Sequence, residues 1–183
     1  MPVRAMNAYC PPNIRIAGDG FDLNAARAYA RGLAERAEAL GIRVTGVGSP
    51  NSRNLPREYP RQQADAQTEA FLRATAEEMG RRGVTVLLEA LAPCFCNYIN
   101  TTAEAVRLAR GAGIGIVADF YNMEHIGEGD TDLKPHIGLI KHAHISDDEG
   151  SPSTRSYLTP GKADAHAARV RGLIRAGYAG ALT

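Results

Sequence analysis

The sequence predicts an α/β fold built on a parallel β-sheet. Short runs rich in β-branched residues alternate with longer, alanine-rich amphipathic segments, which is the pattern of successive βαβ units. Connections from helix to strand are short and carry glycine, whereas connections from strand to helix are long and polar. Because ligands bind at the carboxyl ends of the strands in parallel α/β proteins, the long loops indicate the side of the sheet on which functional residues lie.

The predicted elements follow one another at regular intervals. Gly41 stands where a glycine commonly ends a helix, and Thr101 with Glu104 has the pattern of an N-terminal capping box. The strands are expected near 3–9, 43–48, 84–89, 115–119 and 139–145, as parallel neighbours in that order. The helices are expected near 23–40, 63–80, 102–110 and 163–176, with a weaker one near 129–136.

Length and composition are those of one ordinary globular domain that spans residues 1–183. Lys and Arg number 21 and Asp and Glu number 20, and this balance argues against nucleic-acid binding, which usually requires a basic surface. No apolar run approaches the roughly 18 residues of a membrane helix. The N-terminus lacks the apolar core of a signal peptide. We therefore expect a cytoplasmic protein without a membrane partner.

Three of the predicted strands end in side chains that can bind a metal ion: Glu89, Asp119 and His144. Because the carboxyl ends of parallel strands meet at one edge of the sheet, these groups can converge there. Two oxygens and one nitrogen suit a divalent ion such as Mn²⁺, Mg²⁺, Co²⁺ or Zn²⁺. A helix cap or a salt bridge explains a single acid equally well, and His142 shares a face with His144, so one of the two histidines can be packing alone. The pattern by itself leaves both interpretations open.

Six short motifs, in order along the chain, resemble those of the xylose isomerase-like sugar phosphate isomerase and epimerase family. Each motif is weak alone, but their order and spacing match over nearly the whole chain. They are Gly46-Val-Gly-Ser-Pro-Asn-Ser-Arg-Asn-Leu-Pro56, Leu88-Glu-Ala-Leu91, Asn97-Tyr-Ile-Asn-Thr101, Asp119-Phe-Tyr-Asn-Met123, His142-Ala-His-Ile-Ser-Asp147 and Gly177-Tyr-Ala-Gly180.

The resemblance implies a (β/α)₈ TIM barrel and a metal-dependent isomerase or epimerase that acts on a small sugar, sugar phosphate or keto acid. In such relatives the ligands are a Glu, an Asp, the second His of His-x-His and a Glu on the last strand. The first three correspond to Glu89, Asp119 and His144, and Glu89 is also the expected catalytic group for proton transfer through an enediolate. Arg155 and Arg53 correspond to expected substrate contacts.

The chain also departs from the family pattern. Asn122 stands where relatives usually carry a substrate-contacting histidine, and it is the expected substrate contact here. The barrel is expected to be incomplete, with about strands 3–7 and the start of strand 8, because two initial βα units and the last-strand Glu have no counterpart in the sequence. Open sheet edges would favour association, so a homo-oligomer is expected.

Three alternatives accompany this interpretation. The chain can be a truncated homologue that is inactive or only binds a ligand, or an inosose dehydratase-type lyase on the same barrel. An apurinic-site endonuclease would require more histidine and acidic ligands and a basic groove. The near-neutral charge and the five histidines disfavour it.

Overall fold

The computed structural model describes residues 3–151 and 153–183, within which strands and helices alternate along the chain. The strands are β1 (Ala5–Met6), β2 (Val44–Val47), β3 (Thr85–Glu89), β4 (Gly115–Asp119), β5 (Ile140–His144), β6 (Asp147–Asp148), β7 (Arg155–Ser156) and β8 (Ala181–Leu182). The helices are α1 (Leu23–Leu40), α2 (Pro50–Arg53), α3 (Arg61–Gly80), α4 (Thr102–Ala112), α5 (Phe120–Glu124) and α6 (Ala163–Arg175).

Six of the strands form one parallel sheet in the order β1–β2–β3–β4–β5–β8. The sheet curls into half a barrel, and the long helices pack against it. This arrangement confirms the predicted α/β class and the incomplete (β/α)₈ barrel. It also confirms the order and the direction of the five predicted strands.

The hydrophobic core lies between the sheet and the helices. Phe71, Leu72 and Met79 of α3 have no exposed surface, and they belong to one cluster with Leu88 of β3 and Ile116 of β4. Burial of an apolar side chain of this size contributes about 1.5–3 kcal/mol to stability. The packing therefore holds β3 and β4 in place, and with them the residues at their carboxyl ends.

The helix ends follow the local signals in the sequence. Asp22 caps α1 by accepting hydrogen bonds from two backbone N–H groups, and Gly41 ends that helix in the left-handed conformation with φ 74°. The capping box of Thr101 and Glu104 is confirmed, because both of its hydrogen bonds are present at the start of α4. Across the described part of the chain, no helix is long and apolar enough to cross a membrane.

Two predicted elements are shorter than expected. β1 covers two residues rather than 3–9, because Ala8 has φ 51° and so leaves the extended conformation. The helix expected near 129–136 is wrong, since only a 3₁₀ turn at Lys134–His136 forms there. Its turn contains Pro135, which cannot donate a backbone hydrogen bond, and Gly138 follows closely.

The long loops contain structure that the sequence pattern did not predict. α2 lies in the loop after β2, and α5 begins directly after β4. The loop after β5 contains β6 and β7, which pair antiparallel as a separate two-stranded ribbon. These elements are too short to show a recognisable hydrophobic period.

Candidate metal centre

The structure brings together the three side chains that end β3, β4 and β5. Glu89, Asp119 and His144 are buried, and one ligand atom from each lies within 4.8 Å of the others. His144 Nδ1 is 3.0 Å from Glu89 Oε1 and 3.5 Å from Asp119 Oδ2. An ion with bonds of about 2.1 Å and angles of about 90–110° separates its ligand atoms by about 3.0–3.4 Å. The donor atoms and their spacing therefore fit a small divalent ion.

An irregularity between β4 and β5 sets the direction of His144. The register of the two strands shifts between Ile116 and Val117, so that His144 lies directly opposite Asp119. A regular ladder would place Ala143 opposite Asp119 instead. Because a one-residue slip turns every following side chain to the other face, His144 would then point toward the helices.

The three groups also differ in their affinity for protons. Burial is the main cause that raises the pKa of Glu89 above its usual value, and the neighbouring Asp119 carboxylate adds to it. Burial opposes ionisation of Asp119 as well, but hydrogen bonds from His144 and Glu89 and the Arg155 cation hold its pKa well below the usual range. Burial lowers the pKa of His144, yet the two carboxylates outweigh it and raise that pKa to about 9. The His144 ring thus lies between two carboxylates that both attract positive charge.

Asp119 serves both as a helix cap and as a member of the cluster. Its Oδ1 accepts hydrogen bonds from the backbone N–H groups of Tyr121 and Asn122 at the start of α5. Its Oδ2 faces the cluster and accepts a hydrogen bond from Asn122 Nδ2 at 2.9 Å. The carbonyl oxygen of the Asn122 side chain accepts from the backbone N–H of Ala92 at 3.0 Å. Asn122 is 2% exposed, so the structure places this expected substrate contact against Asp119.

Two residues that follow β2, Arg53 and Gly48, set the position of Glu89. Arg53 has no exposed surface and donates a hydrogen bond from Nη1 to the backbone carbonyl of Glu89 at 2.8 Å. Within the described residues, Arg53 Nε and Nη2 have no hydrogen-bond partner. Gly48 directly follows β2, and a Cβ added to it would lie 2.7 Å from Glu89 Oε2. A glycine at this position therefore leaves the space that the Glu89 carboxylate occupies.

Arg155 reaches the centre from the ribbon formed by β6 and β7. Its guanidinium pairs with Asp119 Oδ2 and lies 4.5 Å from the centre of the Tyr121 ring, while the side chain remains 42% exposed. At the base of the ribbon, buried Asp147 accepts hydrogen bonds from the backbone N–H and the hydroxyl of Thr159, at 2.5 and 2.8 Å. His166 Nε2 lies 2.8 Å from the same carboxylate. Asp147 thus anchors the segment that carries Arg155.

His142 lies beside the cluster rather than in it. Its ring is 5.0 Å from that of His144 in an edge-to-face arrangement, and its Nε2 is 3.2 Å from the Thr183 hydroxyl. Burial is the main cause that lowers its pKa, and the proximity of His144 adds to this effect. The His142 ring therefore packs against His144 and faces Thr183 instead of joining the two carboxylates.

Comparison with known proteins identifies the family. The family model described as the xylose isomerase-like TIM barrel matches residues 4–183. The chain belongs to the xylose isomerase-like TIM barrel family. A search of curated proteins finds no match.

Solved structures share this fold at low sequence identity. AP endonuclease, family 2, from Brucella melitensis superposes with a TM-score of 0.76 and 18% identity, covering 98% of this chain and 70% of that chain. L-ribulose 3-epimerase superposes with a TM-score of 0.72 and 20% identity, covering 97% of this chain and 60% of that chain. The IolI protein with a bound zinc atom superposes with a TM-score of 0.70 and 19% identity, covering 98% of this chain and 65% of that chain. At these identities the likeness establishes the fold alone.

The sequence analysis did not predict one contact to this centre. Asn7 follows β1 at the carboxyl edge of the sheet, and its Nδ2 lies 3.0 Å from His144 Nε2. The signal was a polar residue inside the strand predicted near 3–9. It was overlooked because the expected strand ran on to residue 9.

Proposed function

We propose that this protein is a metal-dependent isomerase or epimerase of a small sugar, sugar phosphate or keto acid, acting by proton transfer through an enediolate. The observation that supports the proposal is the convergence of Glu89, Asp119 and His144 at the carboxyl edge of the barrel strands. Functional groups of such barrels collect at this edge. The fit of the three donors to Mn²⁺, Mg²⁺, Co²⁺ or Zn²⁺ supports a single-ion centre.

Glu89 is the proposed proton-transfer group. Burial raises its pKa, and a carboxylate whose pKa is shifted toward neutrality both takes and returns a proton efficiently. It would remove the proton from the hydroxyl-bearing carbon next to a carbonyl and return it to the neighbouring carbon, which gives isomerisation; epimerisation would need a second acid on the opposite face of the enediolate to supply the proton there. A divalent ion, when bound, supplies Lewis-acid stabilisation of the negative charge on the substrate oxygens.

Asp119 and His144 have the complementary role of ligands. The low pKa of Asp119 keeps it ionised, and its hydrogen bonds to the start of α5 hold its orientation. Arg155 is the proposed substrate contact, since it is partly exposed and lies over the Tyr121 ring. Arg53 and Asn122 are proposed to support the substrate indirectly, because they contact Glu89 and Asp119 respectively.

The test measures deuterium incorporation from D₂O into small ketoses and hydroxypyruvate, with and without added Mn²⁺. We expect metal-dependent exchange of a carbon-bound proton, and we expect Glu89→Gln to abolish it because the neutral amide cannot accept that proton. Loss of one acid-base group typically costs about 10²–10⁴ in rate. Glu58→Gln is the matched control, since the Glu58 side chain is 85% exposed and outside the centre. Equal exchange by Glu89→Gln and the control would refute the assignment.

Calorimetric titration with Mn²⁺, together with the exchange assay and analysis of its products, separates the isomerase, the binding-only homologue and the lyase. A protein that binds no divalent ion contradicts the proposal directly. Ion binding without proton exchange on any candidate substrate favours the homologue that only binds a ligand. Formation of a dehydrated product favours the inosose dehydratase-type lyase.

A further inference from the structure

Asn7 connects two strands that are not neighbours in the sheet. It follows β1, whereas its partner His144 ends β5, and 137 positions separate them in the sequence. The 3.0 Å contact between Asn7 Nδ2 and His144 Nε2 therefore crosses the interior of the half-barrel at its carboxyl edge. Asn7 therefore contacts Nε2 of the His144 ring, whereas Glu89 contacts its other nitrogen, Nδ1.

The intervening strand β2 leaves room for this contact. A Cβ added to Gly46 would lie 2.7 Å from Asn7 Oδ1, closer than real Cβ atoms approach. Gly48, two positions on and on the same face, leaves the corresponding space for Glu89. Gly46 in β2 and Gly48 just after it thus leave room for the polar side chains of Asn7, which follows β1, and of Glu89, which ends β3.

The chemistry of the imidazole explains why an amide suits this position. To bind an ion through Nδ1, the ring must carry its proton on Nε2, and that N–H needs an acceptor. A carboxamide has both an acceptor and a donor, and a half-turn about its last bond exchanges them. Asn7 can thus donate to Nε2 of a neutral ring whose proton is on Nδ1, and accept from Nε2–H of a ring that is protonated there, which is the form that would bind an ion through Nδ1.

We propose that Asn7 is a positioning residue that keeps His144 oriented with Nδ1 toward Glu89 and Asp119. This inference rests on the proposed metal centre. It assigns to Asn7 the orientation of a ligand rather than contact with the substrate.

The first test compares the Mn²⁺ affinity of three variants by calorimetric titration. Asn7→Leu keeps the approximate size but removes the hydrogen bond, and we expect about tenfold weaker binding, at the lower end of the usual range because Asn7 is exposed. Asn7→Asp accepts the Nε2 proton, so it should bind Mn²⁺ at least as tightly as the wild type. Asn13→Leu, at another exposed asparagine, is the matched control and should leave the affinity unchanged.

The second test observes the ring itself. In long-range ¹H–¹⁵N spectra of the Zn²⁺-loaded protein, we expect His144 to carry a slowly exchanging proton on Nε2, which Asn7→Leu should expose to rapid exchange. Gly46→Ala displaces the Asn7 amide and should weaken Mn²⁺ binding as well, whereas Gly138→Ala, with open space around its Cβ, should not. This pair keeps the test valid if Asn7→Leu does not fold.

Two outcomes would overturn the role of Asn7. One is wild-type Mn²⁺ affinity in folded Asn7→Leu, and the other is an equal loss in the Leu and Asp variants, which would indicate a packing role. Absence of ion binding by the wild type would contradict the proposed function instead, so the two failures are distinguishable.

Discussion

Arg155 occupies the oxygen of Asp119 that a metal ion would use. The guanidinium pairs with Asp119 Oδ2, the same atom that lies 3.5 Å from His144 Nδ1. The arginine and a divalent ion therefore compete for one carboxylate oxygen. We expect Arg155→Met to bind Mn²⁺ more tightly than the wild type, although the same change removes a proposed substrate contact.

The size of the effect follows from the exposure of the pair. Two unit charges about 4 Å apart interact by about 4 kcal/mol at an effective dielectric constant near 20. The Asp119 side chain is 1% exposed but that of Arg155 is 42% exposed, so solvent screening brings the net value toward that of surface pairs, about 1 kcal/mol. Since 1.4 kcal/mol corresponds to a factor of ten, the Mn²⁺ affinity should rise about fivefold.

Calorimetric titration with Mn²⁺ measures this change, and the D₂O exchange assay measures the loss of substrate contact. Arg155→Lys keeps the charge and should remain close to the wild type in Mn²⁺ affinity. Arg57→Met is the matched control, because the Arg57 side chain is 95% exposed. Weaker or unchanged Mn²⁺ binding by Arg155→Met would refute the competition.

Three further outcomes are expected. Gly48→Ala should weaken Mn²⁺ binding about tenfold, because its Cβ would lie 2.7 Å from Glu89 Oε2 and overpacking costs about 1–3 kcal/mol; an affinity equal to that of Gly138→Ala would contradict this. Burial opposes ionisation of Asp147, but hydrogen bonds from Thr159 and His166 outweigh it and lower its pKa. The resulting stabilisation is present above the unfolded-state pKa of about 3.9 and is lost as the pH falls through the lower folded-state pKa. Tm should therefore decrease less steeply with falling pH in Asp147→Asn than in the wild type. Finally, β1 and β8 lie at the two edges of the described sheet, and we expect concentration-dependent association in sedimentation velocity, which a monodisperse monomer would exclude.

Much of the architecture was predictable because its signals are local. The alternation of apolar runs and amphipathic segments predicted five of the six sheet strands and the four long helices, and strand order followed from right-handed crossovers. Gly41 and Thr101 marked helix ends correctly, since caps depend on residues within one turn. The acids and the histidine at strand ends were visible because side chains alternate with a period of two.

The arrangement of the centre depended on long-range structure. The register shift after Ile116 decides which face His144 occupies, and no residue pattern within β5 encodes it, because register depends on how two strands pack together. The double role of Asp119, as a cap of α5 and a member of the cluster, required a helix too short to show a period.

Two contacts were decided only by the curvature of the sheet and the path of a loop. Asn7 meets His144 because the sheet curls until β1 and β5 face one another. Three strands, β2, β3 and β4, separate them in the sheet, and no pattern in the sequence reveals the contact. Arg155 meets Asp119 because the ribbon after β5 folds back over the centre, anchored by Asp147. The sequence by itself determined the elements and the groups at their ends, since these depend on neighbouring residues. Only the tertiary structure decided which of those groups touch, because that depends on packing between segments far apart in the chain.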